Sequence, residues 1–205
     1  MLFHKITGFV ESLNPDSILE ERKLLLQPLI NHLQSCISNG EMINLNFICT
    51  HNSRRSHLAQ IWGQAMAYHY NINNLYCYSG GTVATSIYPM VVKTLEDAGF
   101  EFTKLGGDEN PIYAIKFAPN QPPVIGFSKA YNHNFNPNSK FTAIMTCSEA
   151  NEACPIISGA ENRIPLTYDD PKLFDDTPLQ ETKYHERSTQ ITTELCYVFS
   201  QLKRA

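Results

Sequence analysis

Residues 42–69 constrain this chain more than any other stretch. Ile43, Leu45 and Phe47 alternate with Asn44 and Asn46, and Ile48 leads into Cys49, the period of a strand. A short polar turn, Thr50-His51-Asn52-Ser53-Arg54-Arg55, follows. Helical spacing then begins at Ser56, with Leu58, Ile61, Trp62, Ala65 and His69 on one face. A strand that passes into a helix through so short a turn opens an α/β alternation, and the chain downstream continues it.

A second short strand at 75–79 (LYCYS) ends in Gly80-Gly81. The spacing predicts a helix from Pro89 to Ala98, with Val91, Val92, Leu95 and Ala98 facing inward and Gly99 as its stop. Segments 112–117 (IYAIKF) and 123–128 (PVIGFS) flank the turn-forming APNQPP and read as a hairpin inserted in the alternation. After the loop-like 132–140 comes FTAIMT (141–146), apolar enough for a buried strand. Thr177 and Gln180 have capping-box spacing ahead of a last helix whose Ile191, Leu195, Val198, Phe199 and Leu202 face the core. Upstream, 14–40 reads as helical. Asn14 is a candidate N-cap, Pro15 takes the first helical position, and Ile18, Leu19, Leu25, Leu26, Leu29, Ile30, Leu33 and Ile37 recur at helical spacing. Pro28 is expected to kink this helix or start a second one, and Gly40 to end it. Strands alternating with helices imply a parallel sheet covered on both faces.

Composition excludes several classes. The chain has 205 residues, 42% hydrophobic and 18% charged, the profile of a one-domain globule rather than a disordered chain. A net charge of −4 and a pI near 6.0 supply no basic face for nucleic acid. No apolar run approaches the roughly 20 residues of a membrane span, and no secretory leader is read at the start. The expected location is therefore the cytoplasm, with neither nucleic acid nor membrane as partner. The six cysteines (36, 49, 77, 147, 154 and 196) then read as thiols or catalytic groups rather than a disulfide framework. Cys36, Cys77 and Cys196 fall within predicted elements and read as small core fillers. The seven histidines show no zinc-like spacing, so no metal and no cofactor is expected.

The chemistry concentrates in Cys49-x5-Arg55-Ser56. Backbone N–H groups of such a loop and of the helix N-terminus it feeds can point at one centre, which suits a tetrahedral oxyanion. The Arg55 guanidinium offers forked donors to two of its oxygens. The same positive field favours the thiolate of Cys49, the nucleophilic form. Ser56 is placed to donate its hydroxyl to that thiolate, and Asn52 to hold the loop through its side-chain amide. His51 and His57 flank the loop, where a structural role is favoured over substrate contact.

The stretch NFICTHNSRRSHLAQ resembles the signature of the low-molecular-weight protein tyrosine phosphatases and of the thioredoxin-coupled arsenate reductases sharing their fold. Ser79-Gly80-Gly81-Thr82 resembles the family's Ser-Ala-Gly-Thr turn, the segment from Tyr88-Pro89 to Ala98-Gly99 the helix beyond it, and Asp169-Asp170-Pro171 the late Asp-Pro loop. The resemblance covers roughly 42–203 apart from the 111–127 hairpin. His51 and Arg54 depart from a loop where glycine and a second cysteine are common. The resemblance implies a three-layer α/β sandwich with a short parallel sheet, made by a catalytic domain at 41–205, with 1–40 as an N-terminal helical extension. It implies an oxyanion-binding loop of Thr50, His51, Asn52, Ser53, Arg54 and Ser56 around the catalytic pair Cys49 and Arg55. Asp170 takes the position of the general acid, with Asp169 as a neighbour able to substitute.

Cys147 and Cys154, six residues apart, resemble the resolving pair of the thioredoxin-coupled reductases. Two enzymes share the first step. In an arsenate reductase, Cys147 attacks the Cys49–arsenic adduct and Cys154 then takes over the disulfide for thioredoxin or another thiol. In a phosphatase, Cys49 is phosphorylated by phosphotyrosine or an aryl phosphate and Asp170 activates water. Cys154 tilts the expectation toward the reductase. A non-catalytic oxyanion-binding or redox-sensing module is the minor alternative.

Overall fold

The computed structural model describes residues 1–153 and 156–203. Four parallel strands, β1 (Ile43–Cys49), β2 (Leu75–Gly81), β6 (Phe141–Met145) and β7 (Ala160–Pro165), form the main sheet in the order β2-β1-β6-β7. The pleat divides β1 between two cores. Ile43, Leu45 and Phe47 enter the larger cluster, while Ile48 joins Phe141, Ala143 and Met145 in a smaller one. Helices α3 (Arg55–His69) and α6 (Gln180–Ser200) pack together over the first face. The second is covered by one short helix, α5 (Ser148–Ala153), through Ala150, and by Ile157 and Tyr131 from loops. Chain order reverses at β1, with β2 on one side and β6 on the other, so a crevice opens at the carboxyl ends of these strands. Cys49 is the last residue of β1.

Helix α3 is buried almost all round, Arg55, His57, Gln60 and Met66 included, whereas the predicted inward residue His69 is exposed. It is enclosed by the sheet, by α6, by α4 (Pro89–Ala98) and by a second sheet. That sheet is antiparallel, β3 (Glu101–Gly106), β4 (Ile112–Lys116) and β5 (Val124–Gly126). The expected hairpin is β4–β5; β3 extends it to three strands. Neither β3 nor the edge strand β7 shows an apolar period, because most of their side chains face solvent.

The N-terminal reading is corrected in detail. A helix absent from the sequence reading, α1 (His4–Glu11), comes first, and Pro15–Ser17 is one 3-10 turn. Helix α2 (Glu20–Ser38) is capped at Leu19, not Asn14, and continues through Pro28. Pro28, which has no N–H to donate to the Leu24 carbonyl, and Leu24 itself are both exposed. Leu26, Leu29 and Leu33 are buried, but Leu19 and Leu25 are not. Both helices contribute to the core they share with β1 and α3. The Phe9 ring of α1 stacks on Trp62 at 5.1 Å, Phe100 meets the indole edge-on at 4.8 Å, and Trp62 Nε1 donates to Ser188 Oγ at 2.8 Å. Burying an aromatic side chain of this size contributes on the order of 3 kcal/mol. The expected capping box at the start of α6 does not form: Leu179 is the N-cap, with no side-chain bond, while Thr177 Oγ1 accepts from Leu179 N and Gln180 Oε1 from Asp176 N in the turn before it. No helix among the described residues is long and apolar enough to cross a membrane.

Candidate active site

The turn after β1 is held from outside by its carbonyls. Cys49 O accepts from Thr82 N (3.2 Å), Thr50 O from Val83 N (3.0 Å), and Ser53 O from Tyr88 N (3.1 Å). His51 O accepts from the hydroxyls of Thr85 and Ser128, both at 3.0 Å. Carbonyls tied outward leave the loop's N–H groups as the donors for an anion. Close approach of β2 makes this possible only with glycine at 81, where a Cβ would stand 2.4 Å from Val83 O and 2.7 Å from Asn52 N. The His51 side chain is exposed.

At the floor of the loop, Cys49 is buried and its Sγ lies 3.0 Å from Ser56 Oγ. Asn52, with φ of 45°, donates from Nδ2 to Ser56 Oγ at 2.9 Å and accepts at Oδ1 from Lys129 N at 2.8 Å. Arg55 opens α3 with its guanidinium buried. Its Nη1 donates to Tyr168 O at 2.8 Å, and its Nη2 to Asp170 Oδ2 at 2.6 Å, with Glu149 Oε2 at 3.9 Å. Asp170 also accepts from Lys172 N and caps the following 3-10 turn. Asp169 points elsewhere: its carboxylate is exposed and lies 3.2 Å from Arg187 on α6.

Arg54 belongs to the loop by its backbone alone. Its guanidinium is committed to Asp175 and the Tyr184 hydroxyl and lies 4.1 Å over the Tyr88 ring. Cys147, just past β6, is fully buried in the same small cluster as Cys49. Its Sγ is 3.5 Å from Thr50 Oγ1 and accepts from Ala150 N at 3.4 Å. Burial pushes the Cys147 thiol up, against smaller opposing effects of Thr50, Ala150 N and Arg55. Cys154 lies outside the described residues. Cys36, Cys77 and Cys196 are buried, and burial pushes Cys36 and Cys196 each up to about 11.

Several residues around the site carried no sequence signal. Tyr168 holds Arg55 through a carbonyl, which no side-chain pattern reveals. Arg22 of α2 forks onto Glu194 at 2.9 and 2.8 Å and lies 5.0 Å from the centroid of the Tyr168 ring, so α2 braces the segment entering Asp170. Lys129 is 1% exposed, with its Nζ donating to Phe127 O at 3.2 Å and set against the rings of Phe127 and Phe135. Burial pushes its amine down to about 7. The unfolded chain therefore binds the extra proton between about pH 7 and 10.5, and stability from this group rises with pH across that window. Lys129→Met is expected to raise the melting temperature by several degrees at pH 6 and by clearly less at pH 9, since a pKa unit is about 1.4 kcal/mol. Melts giving equal or opposite changes at the two pH values would contradict this.

No protein-family model matches the sequence. An arsenate reductase from Bacillus cereus (strain 03BB102) is 25% identical over 126 residues, 61% of this chain and 74% of its own length. A second, from strain ATCC 14579, matches to the same extent. Among solved structures, a mutant of YwlE from Bacillus subtilis aligns with a TM-score of 0.51 at 14% identity, covering 78% of this chain and 97% of its own. A low molecular weight phosphotyrosine phosphatase from Vibrio cholerae O395 also gives 0.51, at 13% identity over 77% of this chain and 95% of its own. The fold is thus that of the low molecular weight phosphatases, as the loop implied. The sequence is thus similar to curated arsenate reductases, and the fold to that of the low molecular weight phosphatases.

Proposed function

We propose that the chain reduces arsenate through Cys49, Cys147 and Cys154. The observation that carries this is the burial of Cys147 in one cluster with Cys49, its sulfur against Thr50 of the loop. Support also comes from the relatives named arsenate reductase. The Cys49 thiolate attacks arsenic held by loop amides and the Arg55 fork, and Asp170 protonates the departing oxygen. Arg55 Nη2 now bonds Asp170, so a bound oxyanion competes with that carboxyl group for the donor. The Cys147 thiolate then attacks Cys49 Sγ. Arsenic leaves with the electron pair as arsenite, and a Cys49–Cys147 disulfide remains. Burial raises the Cys147 thiol, so its proton has to pass to solvent or a neighbouring base before it attacks. Attack by Cys154 on Cys147 returns the Cys49 thiolate, and thioredoxin or a similar dithiol reduces the Cys147–Cys154 bond.

Phosphatase chemistry is the second reading, favoured by the direct contact of Arg55 with Asp170, the parts needed for an aryl phosphate. Arsenate-dependent oxidation of reduced thioredoxin, run beside p-nitrophenyl phosphate hydrolysis on one sample, separates them. A reductase gives the first activity and loses it in Cys147→Ser, while hydrolysis by that variant persists. Brisk hydrolysis with no arsenate-dependent oxidation contradicts the proposal.

A further inference from the structure

Asn52 is the loop residue in the left-handed region, a conformation that persists in a non-glycine residue only where the surroundings over-determine it. One of its restraints comes from a residue that the loop chemistry does not otherwise use. His57, fully buried in the first turn of α3, places Nε2 2.9 Å from Asn52 O and Nδ1 3.3 Å from Ser79 Oγ. A carbonyl can only accept, so Nε2 carries the proton. In the neutral ring Nδ1 is then bare and accepts from the Ser79 hydroxyl. The direction of the remaining bonds follows. Ser56 Oγ already accepts from Asn52 Nδ2, so its own proton is available to Cys49 Sγ at 3.0 Å.

We infer that His57 is a positioning residue for the nucleophile: its imidazole clamps the Asn52 carbonyl to the Ser79 hydroxyl and so holds the conformation in which Ser56 donates to Cys49. The inference rests on Cys49 acting as a thiolate. It needs a ring that stays neutral. Burial, and then the charge of Lys129, push His57 down to about 3, so no proton is taken up in the working range. A second proton would sit on Nδ1 and turn the Ser79 contact from acceptor to donor. Gln60, in the next turn of α3, is committed through Nε2 to Cys77 O and brings no charge to the ring.

The test reads the thiolate itself. Alkylation of Cys49 by iodoacetamide is followed against pH, quantified on the Cys49 peptide by mass, in the wild type, His57→Leu and His57→Gln, with thermal melts confirming the fold. Leucine removes both hydrogen bonds; glutamine supplies one amide N–H and one carbonyl oxygen in similar places. The expected result is a midpoint raised by about one unit in His57→Leu, the scale for losing a hydrogen bond to a thiolate, and largely restored in His57→Gln. An unchanged midpoint in a folded His57→Leu protein, or an equal rise in both variants, overturns the inference. Should His57→Leu fail to fold, Ser79→Ala deletes only the hydroxyl at Nδ1 and is expected to raise the midpoint less, while no rise overturns the inference. A wild-type midpoint near that of an ordinary thiol, about 8.5, fails differently: it removes Cys49 as the nucleophile and the inference with it.

Discussion

Cys49→Ser is expected to abolish both arsenate reduction and aryl phosphate hydrolysis, by on the order of 10⁵-fold or more, while the protein keeps its fold. The stability side follows from size: Cys49 is buried and sulfur is replaced by a smaller oxygen already facing the Ser56 hydroxyl. The activity side follows from acidity, because a serine hydroxyl is a far weaker acid than a thiol and does not supply an anionic nucleophile. Arg55→Lys is expected to be nearly as severe. Arg55 has one nitrogen on the Tyr168 carbonyl and another on Asp170, and a single ammonium cannot serve as both anchor and fork. Steady-state kinetics beside thermal melts check both variants. Substantial turnover by folded Cys49→Ser protein would mean that another group attacks.

Asp170→Asn is expected to lower turnover of substrates with poor leaving groups by about 10²–10⁴-fold, and less where the leaving group needs no proton. Asp169→Asn should change little. Adjacent in sequence, the two carboxylates differ in what they face. Asp170 lies 2.6 Å from the buried Arg55 guanidinium, whereas Asp169 is solvent-exposed beside Arg187. An exposed pair of that kind contributes little to stability, so Asp169→Asn also leaves the melting temperature nearly unchanged. A leaving-group series on the two variants decides the matter, and a large effect at Asp169 would place the acid one residue too late.

The sequence alone makes some of this legible, and the physical reasons differ by residue. Cys49, Arg55 and the turn between them stand out because a strand period ends and a helix period begins within a few residues. Ser56 and Asn52 are legible with them, since their chemistry acts within the same loop. Cys147 shows in spacing, but its burial against Thr50 depends on the parallel pairing of β6 with β1, which is long-range. His57 is legible as a structural neighbour of the loop but its partners are not, and Lys129 is opaque because a buried cation contradicts the usual preference of lysine. Only tertiary enclosure by β2 and the loops around 127–135 puts them inside. The continuation of α2 through Pro28 is hidden for a similar reason: local propensity breaks the helix there, while burial of Leu26, Leu29 and Leu33 holds it. Arg54 shows the converse error. Its place in the loop sequence suggests an anion contact, yet Asp175, Tyr184 and Tyr88 claim its guanidinium.

The relay between thiols is tested most directly by one trapping measurement. Fully reduced wild-type protein is mixed with arsenate in the absence of any external thiol, quenched by alkylation, digested without reductant and mass-analysed. The account predicts one arsenite released per enzyme and a disulfide joining Cys147 to Cys154, with Cys154→Ser stalling instead as Cys49–Cys147 and Cys147→Ser releasing no arsenite. If the wild-type protein forms neither disulfide under arsenate, yet hydrolyses aryl phosphates briskly, the relay does not exist and the thiolate of Cys49 serves a phosphatase.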